Sequence, residues 1–208
     1  MRIAPEGWPF IAAALLIAVL LAVFRIWVPF GAWLILTLWV IAFFRDPVRH
    51  GPRGERLVLA PADGKVVSVI PIAEPAYLGG NSTRVSIFMN VFDVHVNRHP
   101  VDGVVEYRAY VRGKFINAAG EKASVENEQS SVGVRSDYGR ILVRQIAGLI
   151  ARRIVTDSEE GDRVRQGERL GLIRFGSRVD VFVPPGVRVV VQPGAVTRAG
   201  LTVIGEWP

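Results

Sequence analysis

The sequence predicts a mainly β protein, with a barrel-sandwich-like soluble domain preceded by an N-terminal helical membrane hairpin. Two observations predict this division. Residues 8–24 and 26–44 carry no charged side chain, whereas the chain after residue 46 consists of short alternating apolar runs bounded by Gly, Pro and Asn. Apolar stretches of ~17–25 residues suit membrane-crossing helices, and period-two alternation between turn residues is typical of strands. We therefore divide the chain into an anchor, residues 1–46, and a β domain, residues 47–208.

The two apolar runs predict a hairpin of helices in the membrane. A secretory signal peptide is the alternative for the first run, but its apolar core would be too long and no small-residue cleavage site precedes the second run. Arg45, Arg49 and Arg53 follow the hairpin and Arg2 precedes it. This charge bias predicts that both ends, and the β domain, face the cytoplasm at the inner membrane. Arg25 in the turn fits a shallow hairpin equally well.

Short apolar runs also predict the strands of the β domain. Helical periodicity is expected around residues 118–128. The segment 162–173 has the turn-then-strand pattern of a lipoyl-type barrel-sandwich, without the Met-Lys-Met tip that such domains modify. The predicted strands are 57–60, 65–72, 84–91, 104–111, 140–146, 170–175, 179–183, 187–191 and 201–204.

The composition restricts the chemistry that this chain can perform. The 208 residues include no Cys and three His, which excludes disulfides, thiolate nucleophiles and cysteine-ligated metals. The net charge of +6 favours contact with anionic lipid head groups over nucleic acid, because the sequence carries no nucleic-acid-binding motif. The expected partner is therefore a lipid surface and not a nucleic acid.

The dipeptide Gly176-Ser177, between two strand-like runs, is a candidate for self-cleavage. A serine hydroxyl can attack the preceding glycine carbonyl, because glycine lets the backbone bend into a strained geometry. The amide becomes an ester, elimination leaves dehydroalanine, and hydrolysis leaves a pyruvoyl group at position 177. An ordinary Gly-Ser turn is the alternative interpretation.

A dense polar segment, residues 87–103, contains two of the three histidines. In an extended strand Asp93, His95 and Asn97 would share one face. The alternative is a strand with a polar, solvated face and His99 in its terminal turn. A metal site is not expected, because His95 and His99 have no obvious third ligand.

The segment 60–65 contains Asp63-Gly64, which is first of all a turn leading into the next strand. A carboxylate in this place could also orient an imidazole, as acids do in hydrolase triads. Asp63, His95 and Ser177 would then be acid, base and nucleophile.

Four spaced motifs resemble those of the phosphatidylserine decarboxylase family in its short bacterial and archaeal branch. They are residues 43–47 (FFRDP), 60–64 (APADG), 92–100 (FDVHVNRHP) and 175–180 (FGSRVD). The resemblance implies pyruvoyl-dependent decarboxylation of phosphatidylserine to phosphatidylethanolamine and CO2, after autocatalytic cleavage between Gly176 and Ser177. It also implies a β chain, residues 1–176, and an α chain, residues 177–208, that stay together as a heterodimer, with Ser177 becoming the covalent pyruvoyl cofactor.

The histidine motif departs from that of the longer family branch. There, the motif resembles Asp-x-His-x-x-His, and its second histidine serves as base in self-cleavage. Arg98 holds that place here, while His95 matches the first histidine, which the family associates with decarboxylation. Either His95 serves both steps or His99 takes the second.

Two other functions fit parts of the sequence. A non-enzymatic membrane-fusion-type adaptor also joins a membrane segment to a lipoyl-like domain, but it would need a long helical hairpin inside the β domain. A pyruvoyl decarboxylase of a soluble amino acid would have no use for the anchor.

Overall fold

The computed structural model describes residues 2–116, 118, 120, 123–148, 153–174 and 177–208. The chain forms two compact units, Met1–Val48 and Arg49–Pro208. The first unit is mostly helical and the second is mostly β, so the predicted mainly β fold with an apolar helical N-terminus is confirmed.

The first unit is a hairpin of two apolar helices, α1 (Trp8–Val23) and α2 (Trp27–Phe43). Arg25 forms the turn with a left-handed φ of 57°. Strands β1 (Arg2–Ile3) and β2 (Arg45–Asp46) pair antiparallel at the ends of the hairpin. Helices that are apolar on all sides suit a lipid environment, and the helical segment Pro5–Val23 is long and apolar enough to cross a membrane.

The second unit contains fourteen described strands and one described helix, α3 (Ala123–Glu126). The longest strands pair antiparallel along most of their length. In chain order the strands are β3 (Leu57–Leu59), β4 (Gly64–Glu74), β5 (Gly80–Met89), β6 (Val96–Arg98), β7 (Gly103–Val111), β8 (Gln129–Ser136), β9 (Gly139–Ile146), β10 (Ile154–Thr156), β11 (Arg163–Val164), β12 (Arg169–Ile173), β13 (Ser177–Val183), β14 (Arg188–Val189), β15 (Val196–Thr197) and β16 (Val203–Glu206).

Eight of these strands form one curled sheet in the order β11-β7-β8-β9-β13-β5-β4-β15. Two three-stranded sheets, β10-β12-β6 and β14-β16-β3, accompany it. The side chains between them form a core that is mostly Val, Ile, Leu and Ala and also includes Met89 and Trp207. β13 lies in the middle of the large sheet, with β5 and β9 on its two sides. Ser177 pairs with β5, and from Arg178 onward the strand is held on both sides by pairing.

The structure contains strands that the sequence pattern did not predict. β8 was missed because Ser130 and Ser131 interrupt its apolar alternation, and β10 was missed because it has only three residues. The helix expected around residues 118–128 is, in the described part of that segment, only the single turn α3. Strands β14 and β16, near the C-terminus, pair antiparallel.

Candidate active site

Ser177 is the first residue of β13 and is completely buried. It pairs with Met89, the last residue of β5. Since side chains alternate along a strand, Ser177 faces the same side as the core residues Val179 and Val181. Gly176 and Phe175 lie outside the described residues. The structure therefore places the candidate nucleophile inside the protein, at one end of the central strand.

The Ser177 hydroxyl lies 3.4 Å from the Met89 sulfur. The Asn97 amide nitrogen lies 3.6 Å from the same sulfur. Both Met89 and Asn97 are fully buried. A polar group on β6 thus approaches the Ser177 site through one shared side chain.

His95 lies immediately before β6 and is fully buried. Its Nδ1 is 3.0 Å from the backbone oxygen of Asp93, and its own backbone oxygen accepts the amide of Ile173 at 3.4 Å. Ile173 ends β12, and the chain resumes a strand at Ser177. Strand pairing therefore brings His95 to the end of the fold where β13 begins.

His99 lies further along the same segment, roughly 13 Å from His95 at the usual rise per residue. Its backbone amide donates a hydrogen bond to the Glu168 carbonyl, and its backbone carbonyl accepts one from the Gly167 amide. Its Nε2 is 2.8 Å from the Ser158 hydroxyl. Burial lowers the pKa of His99 to about 4, although Asp162 acts in the opposite direction. His99 is therefore neutral at pH 7, and its described contacts lead away from Ser177.

Asp63 lies in the turn that precedes β4. Lys65 pairs with Phe88, and Phe88 pairs with Arg178, so Asp63 lies at the same end of the sheet as Ser177. Two strand spacings, or about 10 Å, separate their backbones. One Asp63 oxygen accepts the Ala199 amide at 2.7 Å, and the other accepts Arg49 Nη2 at 2.8 Å.

The glycine after Asp63 is required by close packing. Gly64 has a φ of 151°, and a Cβ at this position would lie 2.2 Å from the Phe88 carbonyl oxygen. Because no other residue fits there, Gly64 brings the Asp63 turn directly against β5.

Arg178 and Asp180 lie on the opposite face of β13 from Ser177 and are fully buried. They form a two-pronged ion pair, with Ser86 accepting from Arg178 at 2.8 Å and Ser124 donating to Asp180 at 3.0 Å. Arg144 lies over Phe182 on the same face, and burial lowers the pKa of its guanidinium. The ion pair with Asp180 thus holds Arg178, the residue directly after Ser177, in place.

Comparison with known proteins decides the family. The model of the family described as phosphatidylserine decarboxylase matches residues 36–205. The chain belongs to this family. It is 50% identical to a protein named phosphatidylserine decarboxylase proenzyme from Symbiobacterium thermophilum, over 99% of this chain and 96% of that protein. It is 49% identical to the proenzyme of the same name from Aromatoleum aromaticum, over 99% and 96% of the two chains.

A third relative has the same name and a similar identity. The phosphatidylserine decarboxylase proenzyme of Nitrosomonas eutropha is 47% identical over 99% of this chain and 95% of its own length. Membership of the decarboxylase family confirms the resemblance inferred from the four motifs. It leaves the adaptor hypothesis without support.

Several buried polar residues around Ser177 were not predicted as site residues. Arg178 and Asp180 had a signal in the sequence, because opposite charges at alternate positions interrupt an apolar strand. Asn97 was placed on the His95 face without a role. Gln145, which bonds Asn97 at 2.9 Å, carries no local signal, because only the pairing of distant strands brings it there.

A surface cavity of about 630 Å³ lies elsewhere in the described structure, lined by residues that include Gly103, Arg135 and Arg163. One end of β8 pairs through β9 with Arg178, and the cavity lies at the other end of β8. At the usual strand rise these two ends are about 20 Å apart. This cavity is therefore separate from the Ser177 site.

Proposed function

We propose that this chain is a membrane-anchored enzyme that decarboxylates phosphatidylserine with a pyruvoyl group made from its own Ser177. The observation that carries the proposal is the position of Ser177, fully buried at the first residue of the central strand, next to the segment that holds His95 and Asn97. Membership of a family whose relatives are named proenzymes supports a maturation step.

Maturation begins at the bond between Gly176 and Ser177. The Ser177 hydroxyl attacks the Gly176 carbonyl carbon, the carbon–nitrogen bond breaks, and the hydroxyl proton passes to the departing amine. A base then removes the Cα proton of Ser177, the Cβ–oxygen bond breaks, and the Gly176 carboxylate leaves. Water hydrolyses the resulting enamine and ammonia departs. The products are a carboxylate end and a pyruvoyl end.

We assign the proton transfers to His95. An imidazole suits this work because it can both accept and donate a proton, and His95 is brought to the Ser177 end of the fold by the pairing of Ile173. His99 is less suited, because its contacts are with Ser158 and Glu168 and its pKa is about 4. Asp63 has both oxygens engaged by Arg49 and Ala199, which supports a part in positioning the turn.

The residues around position 177 fit a pyruvoyl group. When bound, this group supplies an electron sink for the loss of a carboxylate as CO2. The site is buried and holds polar side chains on one face, while the ion pair of Arg178 with Asp180 fixes the following residue. A carbonyl at position 177 would therefore be buried on a rigid backbone, beside the Met89 side chain that also contacts the Asn97 amide.

The strand order supports a heterodimer after cleavage. Residues 177–208 include β13, which pairs with β5 and β9, and β15 and β16, which pair with β4 and β3. These pairings would persist when the peptide bond before Ser177 is lost. The α chain would therefore stay in the fold without a covalent link to the β chain.

We further propose that the helical hairpin places the domain at the cytoplasmic side of the cell membrane. A diacyl phospholipid remains in the bilayer, so an enzyme acting on its head group gains from an anchor. The apolar segment Pro5–Val23 and the shorter apolar helix Trp27–Phe43 support this arrangement.

Intact-mass analysis of the purified full-length protein tests the proposal. We expect two chains divided between residues 176 and 177, with the smaller chain lighter by one ammonia than its sequence predicts and trapped by borohydride in the presence of an amine. Vesicles containing phosphatidylserine should then release CO2 and gain phosphatidylethanolamine. The Ser177→Ala variant should remain a single inactive chain. A wild-type chain that stays whole and unmodified in membranes would contradict the proposal.

A further inference from the structure

The amide of Asn97 is an under-satisfied donor aimed at the Ser177 site. Asn97 is fully buried, and in the described part of the chain its NH2 group meets one acceptor, the Met89 sulfur at 3.6 Å. A thioether is a weak acceptor, and a buried donor without a good partner destabilises the folded protein. Retaining such a group beside the candidate nucleophile suggests that it meets a stronger acceptor during the reaction.

A chain of hydrogen bonds holds this amide from behind. Gln145 Nε2 donates to Asn97 Oδ1 at 2.9 Å, and Thr156 Oγ1 donates to Gln145 Oε1 at 2.7 Å. Ser130 Oγ is 2.8 Å from Thr156 Oγ1, and Arg108 Nη1 donates to Ser130 Oγ at 2.8 Å. The chain alternates between the large sheet, at β7, β8 and β9, and the small sheet, at β10 and β6.

Arg108 sets the direction of this chain. A guanidinium only donates, so Ser130 accepts from it and is left with its own hydrogen for Thr156. Thr156 then donates to the Gln145 carbonyl, and Gln145 donates to the Asn97 carbonyl. If the Gln145 amide were reversed, Thr156 and Arg108 would both donate to Ser130, whose hydrogen would have no partner in this chain. The satisfied arrangement points the Asn97 NH2 group toward Met89 and Ser177.

We propose that Asn97 is a catalytic residue of self-cleavage, and that Gln145, Thr156, Ser130 and Arg108 are positioning residues that hold its donor toward Ser177. This inference rests on the proposed function. Asn97 Nδ2 and Ser177 Oγ both contact Met89 Sδ, at 3.6 and 3.4 Å. A methionine side chain is flexible, and we infer that Met89 moves aside during maturation and lets the amide reach the oxygen of position 177.

The donor acts when charge develops on that oxygen. In the ester, the former Ser177 hydroxyl oxygen joins Cβ to the Gly176 carbonyl carbon. When the base removes the Cα proton, the Cβ–oxygen bond breaks, and its electrons remain on the departing carboxylate. A preorganised N–H donor stabilises this charge more than it stabilises the neutral ester, so it accelerates elimination.

The Asn97→Asp variant tests the catalytic role in the full-length, membrane-inserted chain. The change keeps an acceptor for Gln145 but removes the donor, and elimination should slow by ~100-fold or more. The ester should then accumulate, and hydroxylamine should release a chain that begins with intact Ser177. A misfolded chain would form no ester, so this readout separates catalysis from folding. The exposed Asn81→Asp variant on β5 is the control and should mature as wild type does.

Thr156→Val tests the positioning chain at a distance from Ser177. The change removes the hydroxyl with little change in volume and takes away the donor that Gln145 Oε1 accepts, which leaves only the weak bond of its amide to the Val155 carbonyl at 3.5 Å against reversal. Elimination should slow several-fold, with ester accumulating. Thr156→Ser should restore the wild-type rate. Normal maturation of Asn97→Asp would overturn the inference, as would an uncleaved chain without ester. Normal maturation of Thr156→Val would overturn the positioning chain.

The same measurements separate this inference from the proposed function. If wild type forms no pyruvoyl chain, the proposed function itself fails. If wild type matures and decarboxylates phosphatidylserine while Asn97→Asp matures at the same rate, only the role of Asn97 fails.

Discussion

Arg178 and Asp180 form a fully buried ion pair on the face of β13 opposite Ser177, with Nε–Oδ1 and Nη2–Oδ2 distances of 2.6 and 3.1 Å. Arg178 also donates to Ser86 on β5, so the pair links β13 to its neighbour. Residue 178 becomes the second residue of the α chain under the proposed cleavage. The pair therefore fixes the backbone at the point where a new chain end would otherwise be free.

Breaking this pair should destabilise the domain. Asp180→Asn leaves the Arg178 charge buried without a counterion, and such losses cost ~3–5 kcal/mol. The free energy of unfolding should be measured by urea denaturation in detergent, in the uncleaved Ser177→Ala background so that maturation does not change the chain.

The exposed pair of Arg188 with Glu206 provides the matched control. Glu206→Gln should cost below about 1 kcal/mol, because exposed pairs are screened by water. If Asp180→Asn and Glu206→Gln lower the free energy of unfolding equally, the buried pair contributes no more to stability than the exposed pair.

The two candidate bases can be separated by matched variants. His95→Gln should slow formation of the α chain by ~100-fold or more, because general acid–base catalysis contributes 10²–10⁴-fold. The fraction that does mature should decarboxylate phosphatidylserine more slowly than wild type. His99→Gln should mature at the wild-type rate, since a glutamine can still bond Ser158. Time courses of chain separation on gels measure both, and the reverse pattern would assign the base to His99.

The sequence predicted the parts of the molecule that have local signals. Uninterrupted apolar runs predicted α1 and α2, and alternating Val and Ile predicted most strands of the large sheet. The pattern did not predict β8, because Ser130 and Ser131 stand at buried positions where the alternation requires apolar residues. Its place in the sheet is decided by pairing with β7 and β9, which a local pattern does not contain.

The candidate site was predictable to a similar degree. Ser177 and His95 belong to motifs, so reading along the chain found them. The contact of Asn97 with Gln145 joins residues 48 positions apart, and its direction depends on Arg108 through two further side chains, Thr156 and Ser130. This chain of hydrogen bonds forms only when two sheets pack together, so the composition and the spacing of motifs did not predict it.

The role of Asp63 can be tested against its ion-pair partner. Asp63→Asn keeps an acceptor for the Ala199 amide but removes the charge that binds Arg49, and Arg49→Gln removes the same ion pair from the other side. If Asp63 positions its turn, both variants should lose a similar ~1–3 kcal/mol of unfolding free energy and mature alike. Slow maturation of Asp63→Asn alone would instead show that the carboxylate acts on the imidazole, as in a triad.

His99 should make the domain less stable in mild acid. Its pKa is lowered from 6.5 to about 4 by burial, so between these values the unfolded chain binds a proton that the folded chain does not. The contribution of His99 to the free energy of unfolding should be fully present above pH 6.5. It should be lost as the pH decreases toward 4, by about 3 kcal/mol in total. Unfolding of the Ser177→Ala chain by urea at several pH values measures the slope.

A variant without this titration identifies its source. His99→Gln can keep the bond to Ser158 but binds no proton, so its unfolding free energy should vary less between pH 6.5 and 4. His50→Gln, at an exposed histidine, should retain the wild-type slope. If His99→Gln shows the same slope as wild type, the acid sensitivity arises from other groups and His99 is not held neutral by burial.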